Sequence, residues 1–282
     1  MSAKIRFVTD STADLPPEYV EQHNITVVPL KVSFGEETYR DYVDIKPDEF
    51  YRRLRQADKL PRTSQPSPAD FLAAYQPLVE EGAEIISIHI ASALSGTVQA
   101  ARLAKEMLNY PHLEVVDSES ASIFLHAMIR EGVRLAERGG SVEDILELWQ
   151  SFHSRRQVLF MVDTMEYMLK GGRIGKGTAF LGTLLNIKPI FTFKGGVVHP
   201  VEKVRGRKKA LDRMVELIRQ QVGDKPVHCI IADADAPDYL AELRRRVEER
   251  INCSELIISR MGPVMGTYSG PGFVGIVVWR DP

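Results

Sequence analysis

Ser92, Ser95, Gly96 and Thr97 stand where the apolar run "IISIHIA" (85 to 91) gives way to the helical pattern "TVQAARLAKEM". Hydroxyls and a glycine at a strand-to-helix turn suit three kinds of chemistry. They can hold an anion against free backbone N–H groups, carry a nucleophile, or cap the helix. The nucleophile reading asks for Gly-x-Ser-x-Gly around Ser95, and positions 93 and 97 hold Ala93 and Thr97 instead. The capping reading asks only for Ser95 or Thr97 before a helix starting near Val98. Two more turns have the same make-up: Ser11 and Thr12 follow "IRFVTD", and Ser118 and Ser120 follow "LEVVD".

Three basic or glycine-rich stretches also bear on chemistry. In "KGGRIGKGTAFLG" (170 to 182) a phosphate loop fails, because Lys176 is followed by Gly177 rather than Ser or Thr. Gly171 and Gly172 can end the helix "MEYMLK". That leaves Arg173 between glycines and the apolar run "TAFLGTLLNI", expected to be helical, where a guanidinium can meet a carboxylate or phosphate with two parallel bonds. In "KVRGRKKALDRM" (203 to 214) the cations from Arg205 onward crowd a helix start. Cations are disfavoured there, which points to an anion in a ligand or partner unless this is only a solvated helix face. In "GTYSGPGFVGI", Gly266, Gly270 and Gly272 surround Tyr268 and Ser269, a tight turn or a loop closing over a ligand. The seven histidines show no metal spacing, and His89, on one strand face with Ser87, reads as a satisfied core histidine. The two cysteines, Cys229 and Cys253, form no metal motif, and Cys229 reads as a reduced core thiol.

Apolar strands alternating with helices over the first half indicate βαβ units and a parallel sheet covered on both faces. In such a sheet the turns after the strands share one edge, so Ser11, Thr12, Ser95, Thr97, Ser118 and Ser120 are expected on one rim. Capping boxes are expected at Ser67 with Asp70 and at Ser141 with Asp144. After "HSRRQ" (153 to 157) the character changes, and a hairpin is expected at Gly195-Gly196. The fold expected is α/β in two domains. Residues 1–155 form a mainly parallel sheet flanked by helices, and residues 156–282 a mixed or antiparallel sheet with helices. With 282 residues, 44% hydrophobic and 26% charged, the chain has an ordinary globular composition. A net charge of -2 gives no general pull towards nucleic acid. No run approaches the ~18 apolar residues of a membrane span, and the chain reads as cytoplasmic.

Taken together, these stretches resemble the DegV family of bacterial fatty-acid-binding proteins. The resemblance rests on "VTDSTADLP", "TSQPSPADF", "LSGTVQAA", "VVDSESAS", "GGRIGK", "VEKVRGRKKAL" and "SGPGFVGI", in order along essentially the whole chain. It implies one bound long-chain fatty acid, with its carboxylate near the domain interface, and no other cofactor. The carboxylate would be held by Thr63 and Ser95, with Ser11, Gly96 and Thr97 in the same cradle. Arg173, Arg205 and Tyr268 would face the ligand or a partner kinase, a separate ATP-dependent subunit. That kinase converts the carboxylate to an acyl phosphate for phospholipid synthesis, and the carrier itself turns nothing over. Transient membrane contact is compatible with such a role. Two departures stand out. Tyr268 occupies a position where the family commonly has histidine, and a tyrosine donates a hydrogen bond without carrying positive charge near pH 7. The loop before LSGT reads "ASA".

An acyl tail needs an apolar tunnel, for which Met165, Met168, Leu169, Phe180, Leu181 and Leu184 beside Arg173 are the candidates; ordinary helix core is the alternative for each. Two other functions compete with carriage: an acyl hydrolase using Ser95, and a regulatory binder of another small anion.

Overall fold

The computed structural model describes residues 4–180 and 186–281. The chain opens with strand β1 (Ile5–Asp10), helix α1 (Pro17–Gln22) and β2 (Thr26–Val28). An antiparallel excursion follows: β3 (Lys31–Phe34), β4 (Glu37–Arg40), α2 (Pro47–Gln56) and β5 (Arg62–Ser64). Then come α3 (Pro68–Glu80), β6 (Glu84–His89), α4 (Thr97–Leu108), β7 (Leu113–Asp117), α5 (Ile123–Glu137) and α6 (Val142–Arg155). Strands β2-β1-β6-β7 form a parallel four-stranded sheet, and β4-β3-β5 a small antiparallel one. Both expected capping boxes are present, Ser67 with Asp70 at α3 and Ser141 with Asp144 at α6.

The second half contributes β8 (Arg156–Met161), α7 (Glu166–Lys170), β9 (Ile187–Lys194), β10 (Val197–Arg205), α8 (Arg207–Val222), β11 (Val227–Ala234), α9 (Pro237–Arg250), β12 (Cys253–Arg260), α10 (Pro263–Ser269) and β13 (Phe273–Trp279). Its six strands run β10-β9-β8-β13-β11-β12, parallel at β11-β12 and antiparallel at the other neighbours. The protein is thus α/β, with one parallel and one mixed sheet. The β9–β10 hairpin turns at Gly195-Gly196, both at positive φ, as the sequence leads one to expect. The apolar run after Arg173 is different. Of the stretch 178 to 187, Thr178–Phe180 belong to a 3₁₀ turn and Ile187 to β9, and residues 181–185 lie outside the described residues.

Apolar contacts order the layers. Helices α3 and α4 cover one face of the parallel sheet, with Phe71, Tyr75, Ala101 and Ala104 packed on Val8 and Ile85. Helices α8 and α9 cover the outer face of the mixed sheet through Leu211, Met214, Ile218 and Leu243. Between the two sheets lie α5 and α6, in the largest cluster, which runs from Phe7 to Trp279. Every residue from Ile123 to Ile129 is buried, the all-round apolar character of a helix packed on both sides. Strands of the first two sheets all precede Arg156 and those of the third all follow from it. On that ground we propose the division 1–155 and 156–282, with the central core shared between the two units.

Candidate functional site

A cavity of about 290 Å³ lies where the two units meet. Its apolar body is lined by Phe124 of α5, Phe160 of β8, Phe193 of β9 and Phe273 of β13, with Val162, Met168, Met261, Val264 and Met265. The Phe160 ring lies 5.4 Å from that of Phe193 and 5.5 Å from that of Phe273, and Phe124 lies 5.3 Å from Phe193. These rings are separated in sequence by as much as the length of α5 to β13. They meet because β8, the centre of the mixed sheet, faces α5.

Polar groups gather in the same lining: Thr63 and Gln65 from β5 and its loop, Ser95 and Gly96 before α4, Arg173, and Tyr268 of α10. The Thr63 and Tyr268 hydroxyls touch across the two units. Ser95 Oγ lies 2.8 Å from Thr97 Oγ1, and Gln65 Nε2 donates to the Gly96 carbonyl at 3.2 Å. The residue capping α4 is Gly96, and no side chain caps that helix, so the hydroxyls of Ser95 and Thr97 pair with each other rather than serve as its cap. The exposed Arg173 donates from Nη1 to the Gly171 carbonyl at 2.7 Å, and its guanidinium carbon lies 4.9 Å above the Tyr268 ring. Gly171 matters here: a Cβ would strike the Tyr268 ring.

Arg173 is the only charged side chain among the described lining residues, and none of them is His, Cys, Asp or Glu. Such a space suits an amphipathic molecule with an apolar body and a small head that accepts hydrogen bonds. A general base beside Ser95 is missing from this lining, and its hydroxyl has Thr97 as neighbour, which removes the structural support for Ser95 as a hydrolase nucleophile.

Other residues singled out from sequence lie elsewhere. Ser11 does not line the cavity; it is buried and its Oγ accepts from the Leu30 N–H at 3.1 Å. Thr97 is fully buried and reaches the site only through Ser95. Thr12 donates to Asp10 Oδ1, Ser118 donates to the Ser120 carbonyl at 3.2 Å, and Ser120 accepts from the buried Arg156 at 2.6 Å. The rim exists, yet most of its hydroxyls are turned inward to hold the loops together. Arg205 ends β10 and borders a separate groove with Arg207, Lys208, Lys209 and Tyr239. Val198, near the start of the same strand, lines the cavity; seven residues at ~3.3 Å each put Arg205 about 20 Å further on. Of the tunnel candidates, Met168 lines the cavity, Met165 is packed on the core beside it, and Leu169 is 38% exposed. Leu181 and Leu184 lie outside the described residues, as does the side chain of Phe180.

Sequence reading missed the four phenylalanines, which carry no mark distinguishing cavity wall from core. Of two buried polar clusters it anticipates only His89 beside Ser87 in the core, and none of their partners. In one, Tyr75 OH, Ser87 Oγ, His89 and Asp10 form a chain with links of 2.7, 2.6 and 3.1 Å, all four residues at 0% exposure. His89 is therefore a satisfied core histidine, and its Ser-His-Asp order is sealed from solvent. In the other, Asp14 meets Ser122 Oγ at 2.5 Å, the Gly262 N–H at 2.8 Å and Tyr42 OH at 3.1 Å. Burial pushes the Asp14 pKa up to about 7, against the pull of those three donors and with help from nearby Asp10. Burial likewise pushes neighbouring Asp41 well above the carboxylate range. Among the described residues no cluster could hold a metal ion, and no helix is long and apolar enough to cross a membrane.

Comparison with known proteins gives these features a family. The DegV family profile, described as that of an uncharacterised protein, matches residues 4–281, and the chain belongs to that family. The Bacillus subtilis protein DegV is 34% identical over 274 residues, covering 96% of this chain and 98% of that one. A Thermus thermophilus DegV family protein described by its fatty acid binding superposes with a TM-score of 0.93 at 36% identity, covering 99% and 100% of the two chains. A stearic acid-binding protein from Eubacterium ventriosum gives 0.87 at 28% identity, with 98% of each chain covered.

Proposed function

We propose that this DegV-family chain carries one long-chain fatty acid and presents its carboxylate to a separate ATP-dependent kinase. The product would be an acyl phosphate for lipid synthesis in the cytoplasm, with the phosphorylation catalysed by the partner and no cofactor in the carrier. The observation that carries this reading is the cavity itself: phenylalanine and methionine walls, with hydroxyls and a single guanidinium in the same lining. Burial is worth ~0.8 kcal/mol per methylene, so a sixteen-carbon tail gains roughly 12 kcal/mol before the costs of binding. The tail supplies affinity. Thr63, Ser95 and Tyr268 supply donors for the head, and Gly96 lets the backbone come close. The Thermus and Eubacterium relatives, described as binding fatty acids, support the same ligand class.

The kinase half of the reading rests on Arg173 and Arg205. Arg173 is exposed, bonds only to backbone carbonyls among the described residues and stands at the cavity wall. Arg205 belongs to the basic groove, a second contact for a partner rather than a ligand for the head group. Native mass spectrometry of freshly purified protein, followed by denaturing release, tests the ligand. A fatty acid at one per chain is expected; a bare chain after incubation with common fatty acids would end this reading. The kinase step is tested by hydroxylamine trapping of acyl phosphate when the loaded carrier, a fatty acid kinase and ATP are combined. Arg173→Ala and Arg205→Ala should each reduce trapping while leaving loading intact.

A further inference from the structure

Ser122 is the last residue before α5 and has φ 53° and ψ −135°, a region costly to any residue with a Cβ and concentrated at functional sites. It stands between β7 and α5, at the carboxyl edge of a parallel sheet. A strained serine between strand and helix is how a nucleophile elbow lifts its hydroxyl clear of the backbone. The flanking glycines of that motif are missing, which is why the sequence does not show it, yet the backbone takes the strained turn without them. Ser122 belongs to the cavity lining and is 1% exposed to solvent, so any group it meets is one already inside the cavity.

Its hydroxyl donates to Asp14 Oδ2 at 2.5 Å. Asp14 Oδ1 is held in turn by Gly262 N–H and Tyr42 OH, which fixes the carboxyl plane and leaves Oδ2 to the serine. Burial raises the proton affinity of this carboxylate towards neutrality, the range in which a group accepts and returns protons. The Phe124 N–H is already taken by the Ala121 carbonyl at 3.2 Å, whereas the amide of Ile123, the residue after Ser122, has no intrahelical partner by the geometry of a helix start. That one N–H offers a donor to an oxygen developing charge next to Ser122. Ser95 has neither strain nor carboxylate, its neighbour being Thr97.

We propose that Ser122 is a nucleophile towards activated acyl groups and Asp14 its general base, so that the cavity accepts an acyl group covalently from a long-chain acyl thioester. This rests on the reading that the cavity takes acyl chains. Ser122 Oγ attacks the thioester carbonyl carbon while its proton passes to Asp14 Oδ2. The carbon–sulfur bond breaks, the thiolate leaves and takes that proton, and an ester joins the acyl group to Ser122. Water, deprotonated by the same carboxylate, then releases the free fatty acid and restores the serine.

The test is intact-mass analysis of the full chain incubated with palmitoyl-coenzyme A, with peptide fragmentation to place the adduct. Binding of cis-parinaric acid, measured in parallel, reports on the fold and the acyl site. A palmitoyl adduct on Ser122 is expected, lost in Ser122→Ala and kept in Ser92→Ala, an exposed serine outside the cavity lining. Asp14→Asn should form it about 100-fold more slowly, the usual contribution of a general base. If Ser122→Ala fails to fold, Ser122→Gly, suited to this torsion, replaces it. Protein that binds parinaric acid without an adduct on Ser122 overturns the proposal and leaves carriage standing. An equal rate in Asp14→Asn overturns the role of Asp14. An adduct without parinaric binding removes free fatty acid carriage and keeps the acylation site; neither signal removes both.

Discussion

Two neighbouring strands of the parallel sheet, β6 and β7, each pass the chain to a helix through a serine-rich turn, and the two turns are built differently. The turn before α4 is relaxed. Gly96 caps the helix at φ −74°, Ser95 and Thr97 pair with each other, and Gln65 leans in from the β5 loop. The turn before α5 is strained at Ser122 and tied to a buried acid whose other partners are 28 and 248 residues away. The first turn is an open cradle whose parts work locally. The second is a junction where the loop after β1, the turn between β4 and α2, the start of α5 and the segment before α10 are held by one carboxyl group, so it ties the cavity wall at Ser122 to segments from both halves of the chain.

The sharpest way to break that contrast is with pH. The Asp14 pKa stands at about 7 in the folded chain against an ordinary 3.8, so the native state holds a proton that the unfolded chain has lost. Stability from this group is therefore full below pH ~4 and is lost as pH rises through about 7, with a ceiling of about 4 kcal/mol for a shift of this size. Asp41, raised in the same direction, adds to the same trend. Urea unfolding at pH 5 and pH 8 should show the slope, flattened in Asp14→Asn and unchanged in Ser95→Ala. A wild-type chain equally stable at both values would mean that Asp14 ionises without penalty and that its junction is no tighter than the cradle.

Strain gives the next effect. Ser122→Ala keeps the disfavoured torsion and takes one donor from a buried carboxyl, a loss of about 2 kcal/mol. Ser122→Gly loses the same donor but relaxes the backbone and should recover about 1 kcal/mol of it. If alanine is the more stable of the two, the torsion carries no strain. At the other turn Ser95→Ala should hardly move stability, since Ser95 is half-buried with only Thr97 as partner. Its effect belongs in binding: loss of one head-group donor should weaken parinaric acid about fivefold, or ~1 kcal/mol.

How much of each turn is legible in sequence follows the same contrast. Features within a few residues can be read: the Ser67–Asp70 and Ser141–Asp144 boxes, the Gly195-Gly196 hairpin, the βαβ order and the loops of the cradle. Thr63 comes to Ser95 only through β3–β5, strands of three or four residues too short and too exposed to announce a sheet. The family resemblance groups Arg205 with Arg173, while the length of β10 carries Arg205 to a separate groove. Asp14 sits in "TADLP" like any turn acid, and its three side-chain and backbone donors come from Tyr42, Ser122 and Gly262, a meeting that no local pattern encodes.

The smallest expected effect comes from Gly96→Ala. The added methyl would meet the end of the Gln65 side chain, not backbone. That chain is exposed and can swing aside, at the cost of its 3.2 Å bond to the Gly96 carbonyl. Because φ is −74°, alanine is unstrained there and gains about 0.4–1 kcal/mol from the reduced freedom of the unfolded chain. The two terms nearly cancel, so the midpoint in urea should move by no more than about 0.5 kcal/mol equivalent. Head-group contact is another matter, since the methyl occupies the place where the backbone approaches the cavity. If Gly96→Ala leaves stability alone and weakens parinaric acid about twofold to threefold, this glycine serves the ligand. If it weakens neither, the N–H groups before α4 do not touch the head group, and the cradle reduces to the hydroxyls of Ser95, Thr63 and Tyr268.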